Sequence, residues 1–201
     1  MNKVFAVVSA LGSTFLSAQA VQFGITANVH HSNIRGIHDY SKGRIAPAVG
    51  FFAEIPFAQR YVSYSHLVPQ LEYSMEGERA TPATGDQKFN NDYVNALVMI
   101  KHYFGFNQLN ENKKFFVMLG PKVGYNITQN TEGTISHAPD LAAEDNFNKV
   151  NIGVVLGTGY QLNDNFELLF RYDQGLSAVY KKFENKTFSY QFNLGLNFKF
   201  N

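Results

Sequence analysis

The sequence predicts an all-β fold, an eight-stranded antiparallel up-and-down transmembrane β-barrel. Three observations predict it: eight segments in which apolar and polar residues alternate, an apolar face almost free of charge, and a leader-like N-terminus. The chain has 201 residues, which suits one domain. Charged residues make up 16% and aromatics 15%, with 19 Phe and 11 Tyr, where an ordinary soluble protein carries about 25% charged residues. Mean hydropathy is −0.20, which does not describe a helical membrane protein. The lack of Cys excludes a disulfide scaffold and Cys-ligated zinc or iron–sulfur sites. A formal net charge of +1 gives no electrostatic case for nucleic acid.

Residues 1–20 have the layout of a secretory signal peptide. Met1-Asn2-Lys3 is a basic start, residues 4–16 are mostly apolar, and Ser17-Ala18-Gln19-Ala20 offers a small-residue cleavage site. The apolar run is shorter than the ~20 residues of a membrane-spanning helix. Cleavage after Ala20 removes Lys3 and leaves residues 21–201 as the barrel domain, with equal numbers of acidic and basic residues.

The strands follow in chain order. Residues 23–31 set Phe23, Ile25, Ala27 and Val29 against Gln22, Gly24, Thr26 and Asn28. Residues 45–55 set Val49, Phe51, Ala53 and Ile55 against Ala48, Gly50 and Glu54. Residues 67–75 set Leu67, Leu71, Tyr73 and Met75 against Gln70, Glu72 and Ser74. Residues 93–103 are ambiguous, because Leu97 and Met99 share a face with Asn95 and Lys101. Residues 115–127 carry Met118, Gly120, Lys122 and Gly124 on their less apolar face. Residues 150–161 set Val150, Ile152, Val154, Leu156 and Tyr160 against Asn151, Gly153, Gly157, Gly159 and Gln161. Residues 166–173 put Phe166, Leu168, Phe170 and Tyr172 opposite Glu167, Leu169, Arg171 and Asp173. Residues 188–200 obey period two throughout, from Phe188 and Tyr190 to Phe198 and Phe200 on one face.

The connections alternate in length. Residues 32–44, 76–92, 128–148 and 175–187 are long and polar, as outer loops are. Residues 104–114 and the four-residue turn 162–165 fall on the other side. Residues 56–66 are long and partly apolar there, and fit either a short helix or an extension of the wall. Tyr93, Phe104, Tyr125, Tyr160, Phe166, Phe188 and Phe198 sit at strand ends and read as interfacial girdle residues.

Alternation alone also fits a soluble barrel with its apolar face inward. The polar face here is rich in Gly, Asn and Gln instead of solvent-facing Lys and Glu, which suits the crowded inside of a small barrel. The inward charges are then Glu54, Glu72, Glu167 and Asp173 against Lys101, Lys122, Arg171 and Lys199. Charges buried together must be paired. The set therefore reads as a structural plug, with a proton or ion path as the alternative.

The ending Asn193-Leu194-Gly195-Leu196-Asn197-Phe198-Lys199-Phe200 resembles the assembly signal of outer-membrane barrels, with Asn193, Gly195, Phe198 and Phe200 as its key positions and Asn201 as one extra residue. Three stretches, 116–125, Gly157-Thr158-Gly159-Tyr160 and 170–176, resemble the outer-membrane β-barrel family of Bacteroidetes that includes PorT-like proteins, whose barrels are similar to OmpX and OmpA in shape. The resemblance implies an eight-stranded outer-membrane barrel inserted by the barrel assembly machinery and surrounded by outer-membrane lipid. A role in protein secretion is its more distant implication.

Catalytic chemistry has little support. A lipid A deacylase of the PagL type would need a His and a Ser near the last strands, and the matching stretch 171–177 has no His. Ser136-His137 falls in a loop. His30 and His31 are adjacent on a strand and point to opposite faces, so with His38 they do not form a metal site, and no cofactor is expected. Two functions remain. One is a structural or interaction barrel that offers loops 76–92 and 128–148 to a protein partner. The other is a narrow channel or small-ligand transporter lined by the interior charges.

Overall fold

The computed structural model describes residues 21–35, 41–60, 63–80, 87–104, 115–132, 147–181 and 187–200. The expected signal peptide at 1–20, and His38, Ser136 and His137, lie outside these residues. Eight strands form the wall: β1 (Gln22–Arg35), β2 (Ser41–Arg60), β3 (Ser63–Ala80), β4 (Gln87–Phe104), β5 (Phe115–Glu132), β6 (Val150–Gln161), β7 (Phe166–Gly175) and β8 (Phe188–Lys199). Each pairs antiparallel with its sequence neighbour, and β1 pairs with β8 to close the barrel. Closure leaves no free edge along the paired length, so the backbone polar groups of the ladders pair within the wall, as a bilayer requires.

The two faces separate as the alternation predicts. Phe51, Leu71, Ile100, Leu119, Leu156, Phe170 and Leu194 are exposed on the outside, while Asn28, Glu72, Asn95, Lys122, Arg171 and Asn193 are buried inside. The end carrying both described chain ends and the 162–165 turn is the periplasmic end, since short turns and termini lie there in transmembrane barrels. Asn163 builds that turn by accepting the N–H groups of Asn165 and Phe166 through its side-chain oxygen.

Five strands, β1–β5, run at least five residues beyond their alternation. β2–β5 run 18–20 residues, so parts of the expected loops 32–44, 76–92 and 128–148 are barrel wall. Residues 56–60 and 63–66 also extend the wall and form no helix. Above the apolar belt both faces of these strands are polar, as in Thr128-Gln129-Asn130-Thr131, and the period-two contrast that marks a strand fades. The β2–β3 ladder breaks between Gly43 and Ala48. Side chains reach across that break: His30 Nε2 hydrogen-bonds the Met75 carbonyl, Arg44 Nη1 donates to the Glu76 carbonyl, and Ser32 Oγ donates to the Gly77 carbonyl while accepting the Gly77 N–H. Gly77 has φ 141°, and a Cβ there would collide with the Phe89 carbonyl oxygen, so the position requires glycine.

Tyr93 departs from its expected girdle place. It points into the lumen at 3% exposure, whereas Phe104, Tyr125, Tyr160 and Phe166 face outward. The ambiguous β4 segment resolves the same way: Leu97, Met99 and Lys101 all point inward.

Candidate functional site

The lumen is layered from one mouth to the other. At the outer end, Phe147, Val179 and Tyr180 fold in from the two connections that flank β6 and β7 and pack with Ile34 and Phe89. Tyr180 donates to Glu78 Oε1 at 2.9 Å. Burial, reinforced by the nearby carboxylate of Glu78, pushes the Tyr180 hydroxyl well above the usual phenol range, so it remains a donor.

Beneath this cap lies a charged cluster. Arg171 grips Glu72 through two parallel bonds, Nη1 to Oε2 at 2.9 Å and Nη2 to Oε1 at 2.7 Å, and also donates to Asp173 Oδ2 at 3.2 Å. Lys122 donates to Glu76 Oε1 and Asp173 Oδ2, each at 3.2 Å. The amides of Asn28 and Gln70 add donors to Glu72 Oε2, and that of Asn95 to Glu76 Oε1. The bidentate grip and the added hydrogen bonds offset the cost of taking these charges out of water.

An apolar layer follows: Phe52, Val68, Leu97, Met99, Phe116, Met118, Val155 and Leu169. Met99 and Val155 have no exposed surface. Single strands display the layering directly, with Arg171, Leu169 and Glu167 successive inward residues of β7 and Asn95, Leu97, Met99 and Lys101 those of β4.

The second charged cluster sits below. Lys101 Nζ lies between the carboxylates of Glu54 and Glu167. The Tyr103 hydroxyl lies within hydrogen-bonding distance of both carboxylates, and Lys199 Nζ donates to Glu167 Oε1 at 2.9 Å. The Lys101 ammonium also lies 4.2 Å from the centre of the Phe116 ring. Below this cluster a cavity of about 430 Å³ opens at the periplasmic end. Nearer the outer end, the cavities beside Lys122 and beside Tyr93 are only about 10 Å³ each, room for about one water.

All eight inward charges expected from sequence are inside, but they form two groups and not one network. Glu72, Lys122, Arg171 and Asp173 make the upper group; Glu54, Lys101, Glu167 and Lys199 make the lower. Glu76 is an additional member that sequence reasoning placed in a loop, and Tyr103 is a second. The signal for Glu76 was its even spacing from Glu72 and Ser74 on the same strand. Of the assembly-signal residues, Asn193 and Gly195 face inward, Phe198 faces outward, and Phe200 is exposed just past β8.

The sequence matches the outer membrane protein beta-barrel domain family over residues 17–181. The chain belongs to that family. It is a small outer-membrane β-barrel, and the lipid-facing belt and filled lumen are those of a protein resident in that membrane. Similar solved structures include the outer membrane enzyme PagL, at 9% identity over 87% of this chain and 98% of that chain with a TM-score of 0.56. Ail, the attachment invasion locus protein of Yersinia pestis, aligns at 12% identity over 90% of this chain and 100% of that one, with a TM-score of 0.45. At these identities the likeness is one of fold. No curated protein matches the sequence.

On the outer surface of this barrel, Ser65 and His102 are cross-strand partners whose Oγ and Nδ1 lie 2.8 Å apart. Sequence reasoning did not pair them, since they are 37 residues apart on different strands. The other face of the imidazole packs edge-on to Phe104 at 4.5 Å, and among the described residues no carboxylate bonds to it. Among the described residues the pair has no third member of the kind that orients a catalytic histidine. His30 and His31 do point to opposite sides of β1, His30 into the lumen and His31 over Gly43.

Proposed function

We propose that this outer-membrane barrel is a structural and interaction protein without catalytic activity, and that it presents the outer ends of β2–β5 to a protein partner outside the cell. The observation that carries this reading is the unequal wall. The β5–β6 ladder ends at Tyr125 and Val150, with one further bond from the Asn126 N–H to the Lys149 carbonyl. Residues 128–132 continue outward, and among the described residues they pair with β4 alone. An edge strand offers a row of N–H and C=O groups to another chain. Proteins usually blunt such an edge with Lys or Pro, and Thr128-Gln129-Asn130-Thr131 has neither.

Export with cleavage after Ala20, insertion by the barrel assembly machinery reading Asn193, Gly195, Phe198 and Phe200, and an annulus of outer-membrane lipid belong to the same proposal. The PorT-like resemblance falls on wall residues of β5, β6 and β7, and supports the architecture more than a part in secretion. The channel alternative meets an apolar layer and an outer cap across its path.

The test is a deletion strain complemented with the natural chain or with Thr128→Pro/Asn130→Pro, each checked for the mobility shift of a folded barrel on unboiled gels. Adhesion should fall on deletion and return only with the natural chain. Unchanged adhesion, envelope integrity and secretion in the deletion strain would end the interaction reading. Steady conductance of the folded protein in planar bilayers would favour the channel instead.

A further inference from the structure

We infer that the periplasmic mouth of the barrel is a binding site for a neutral, polyhydroxylated ligand, a saccharide of one or two rings. The cavity of about 430 Å³ is within the usual range for small-ligand sites and faces the periplasm, opposite the proposed protein-binding wall. One side is aromatic, formed by Tyr64, His66 and Tyr103, with the His66 and Tyr103 rings edge-to-face at 5.3 Å. Its rim carries the amides of Gln22 and Gln161 and the carboxylate of Asp164.

The floor decides the charge of the occupant. Glu54 and Lys199 line it, and both are already committed: Glu54 to Lys101 and Tyr103, Lys199 to Glu167. Two carboxylates face two ammonium groups in that cluster, so the floor presents no net charge. An anionic ligand meets Glu54 and Asp164, and a cationic one meets Lys199, with the rim carboxylate of Asp164 to pair with. An apolar ligand strips water from all of these groups without replacing their hydrogen bonds. Hydroxyls both donate and accept, as the lining does: the amides of Gln22 and Gln161 do each, the carboxylates accept, and the ammonium donates. Among the described residues, His66 Nδ1 also has no hydrogen-bond partner. A sugar ring supplies an apolar face for the aromatic side and hydroxyls for the rim.

Isothermal titration of the full barrel, folded in detergent micelles, tests this with maltose and chitobiose as neutral probes and glucose 6-phosphate and spermidine as charged ones. A neutral disaccharide should bind with a dissociation constant on the order of 1 mM. Gln161→Ala and Gln22→Ala should each weaken it by about tenfold, the effect of losing one polar contact. Lys88→Ala, at the opposite mouth, should leave it unchanged. Gln22 begins β1, so its variant keeps the test intact should Gln161→Ala fail to show the mobility of a folded barrel. The inference is overturned by no heat with either disaccharide, by affinity unchanged from the natural chain in both Gln variants, or by tighter binding of either charged probe. Adhesion is indifferent to all of these results, so this site and the outer wall stand or fall separately.

Discussion

The two sides of the barrel cross one bilayer with walls of different height. β2–β5 have 18–20 residues each, whereas β6, β7 and β8 have 12, 10 and 12. A strand of 9–11 residues is about enough to span the membrane, so the short side is nearly all membrane wall and the tall side stands clear of it. Their interiors depend on each other all the same. The tall side supplies Glu54, Glu72, Glu76, Lys101 and Lys122; the short side supplies Glu167, Arg171, Asp173 and Lys199. Among the described residues, half of the interior bridges run across the lumen between the sides: Arg171 to Glu72, Lys122 to Asp173, Lys101 to Glu167 and Lys199 to Glu54. The height difference thus concerns what stands outside the membrane, while the ion pairs bind the halves into one body.

Removing a bridge between the halves should have the largest effect. Arg171→Met leaves Glu72 and Asp173 buried without their main cation and should cost about 3–5 kcal/mol in urea unfolding of the lipid-reconstituted barrel. A loss below about 1 kcal/mol would mean the two halves do not rely on this contact. Next comes the membrane wall of the short side. Leu194→Arg on the lipid face should cost about 2–4 kcal/mol, and Asn193→Ala, one residue away and facing inward, much less; equal losses would reverse the assigned faces. On the tall side above the membrane, Gly77→Ala should cost about 1–3 kcal/mol through backbone strain. Faster amide exchange should then appear in the outer ends of β3 and β4 but not in β6–β8. The smallest change is expected at the rim, where Lys88 and Glu132 are 4.0 Å apart and half exposed. Lys88→Ala should alter stability by at most about 0.5 kcal/mol, and a larger shift would show the tall wall to be held by its surface charges.

The same contrast explains how much the sequence revealed. β6 was legible from end to end, and β8 to within one residue, because membrane-spanning strands must oppose an apolar face to a small or polar one and stop at turn residues. The tall outer ends were not, since Asn90-Asn91-Asp92 and Thr128-Gln129-Asn130 meet water on the outside and polar groups on the inside. Nothing in such a stretch alternates. Apart from Glu76, the charge-bearing interior was readable from the inward parity, while its division was hidden. Leu97, Met99 and Leu169 looked like exceptions on a polar face, and only their alignment around the lumen makes them a layer. Ser65 with His102, and the rim of the periplasmic cavity, join residues from different strands and needed the pairing itself.

The closing seam has a consequence for assembly. β1 meets β8 only after the whole chain is available, with Gly24 opposite Lys199 and Asn28 opposite Gly195. Side chains alternate strictly, so sliding β8 by one residue would turn Asn193, Asn197 and Lys199 toward lipid and drive Phe192 and Leu194 into the lumen. Lys199 would then lose Glu167, which would remain charged beside Lys101 alone. The buried ion pairs therefore act as a proofreading lock on the seam: a barrel zipped one step out of place cannot neutralise its own interior.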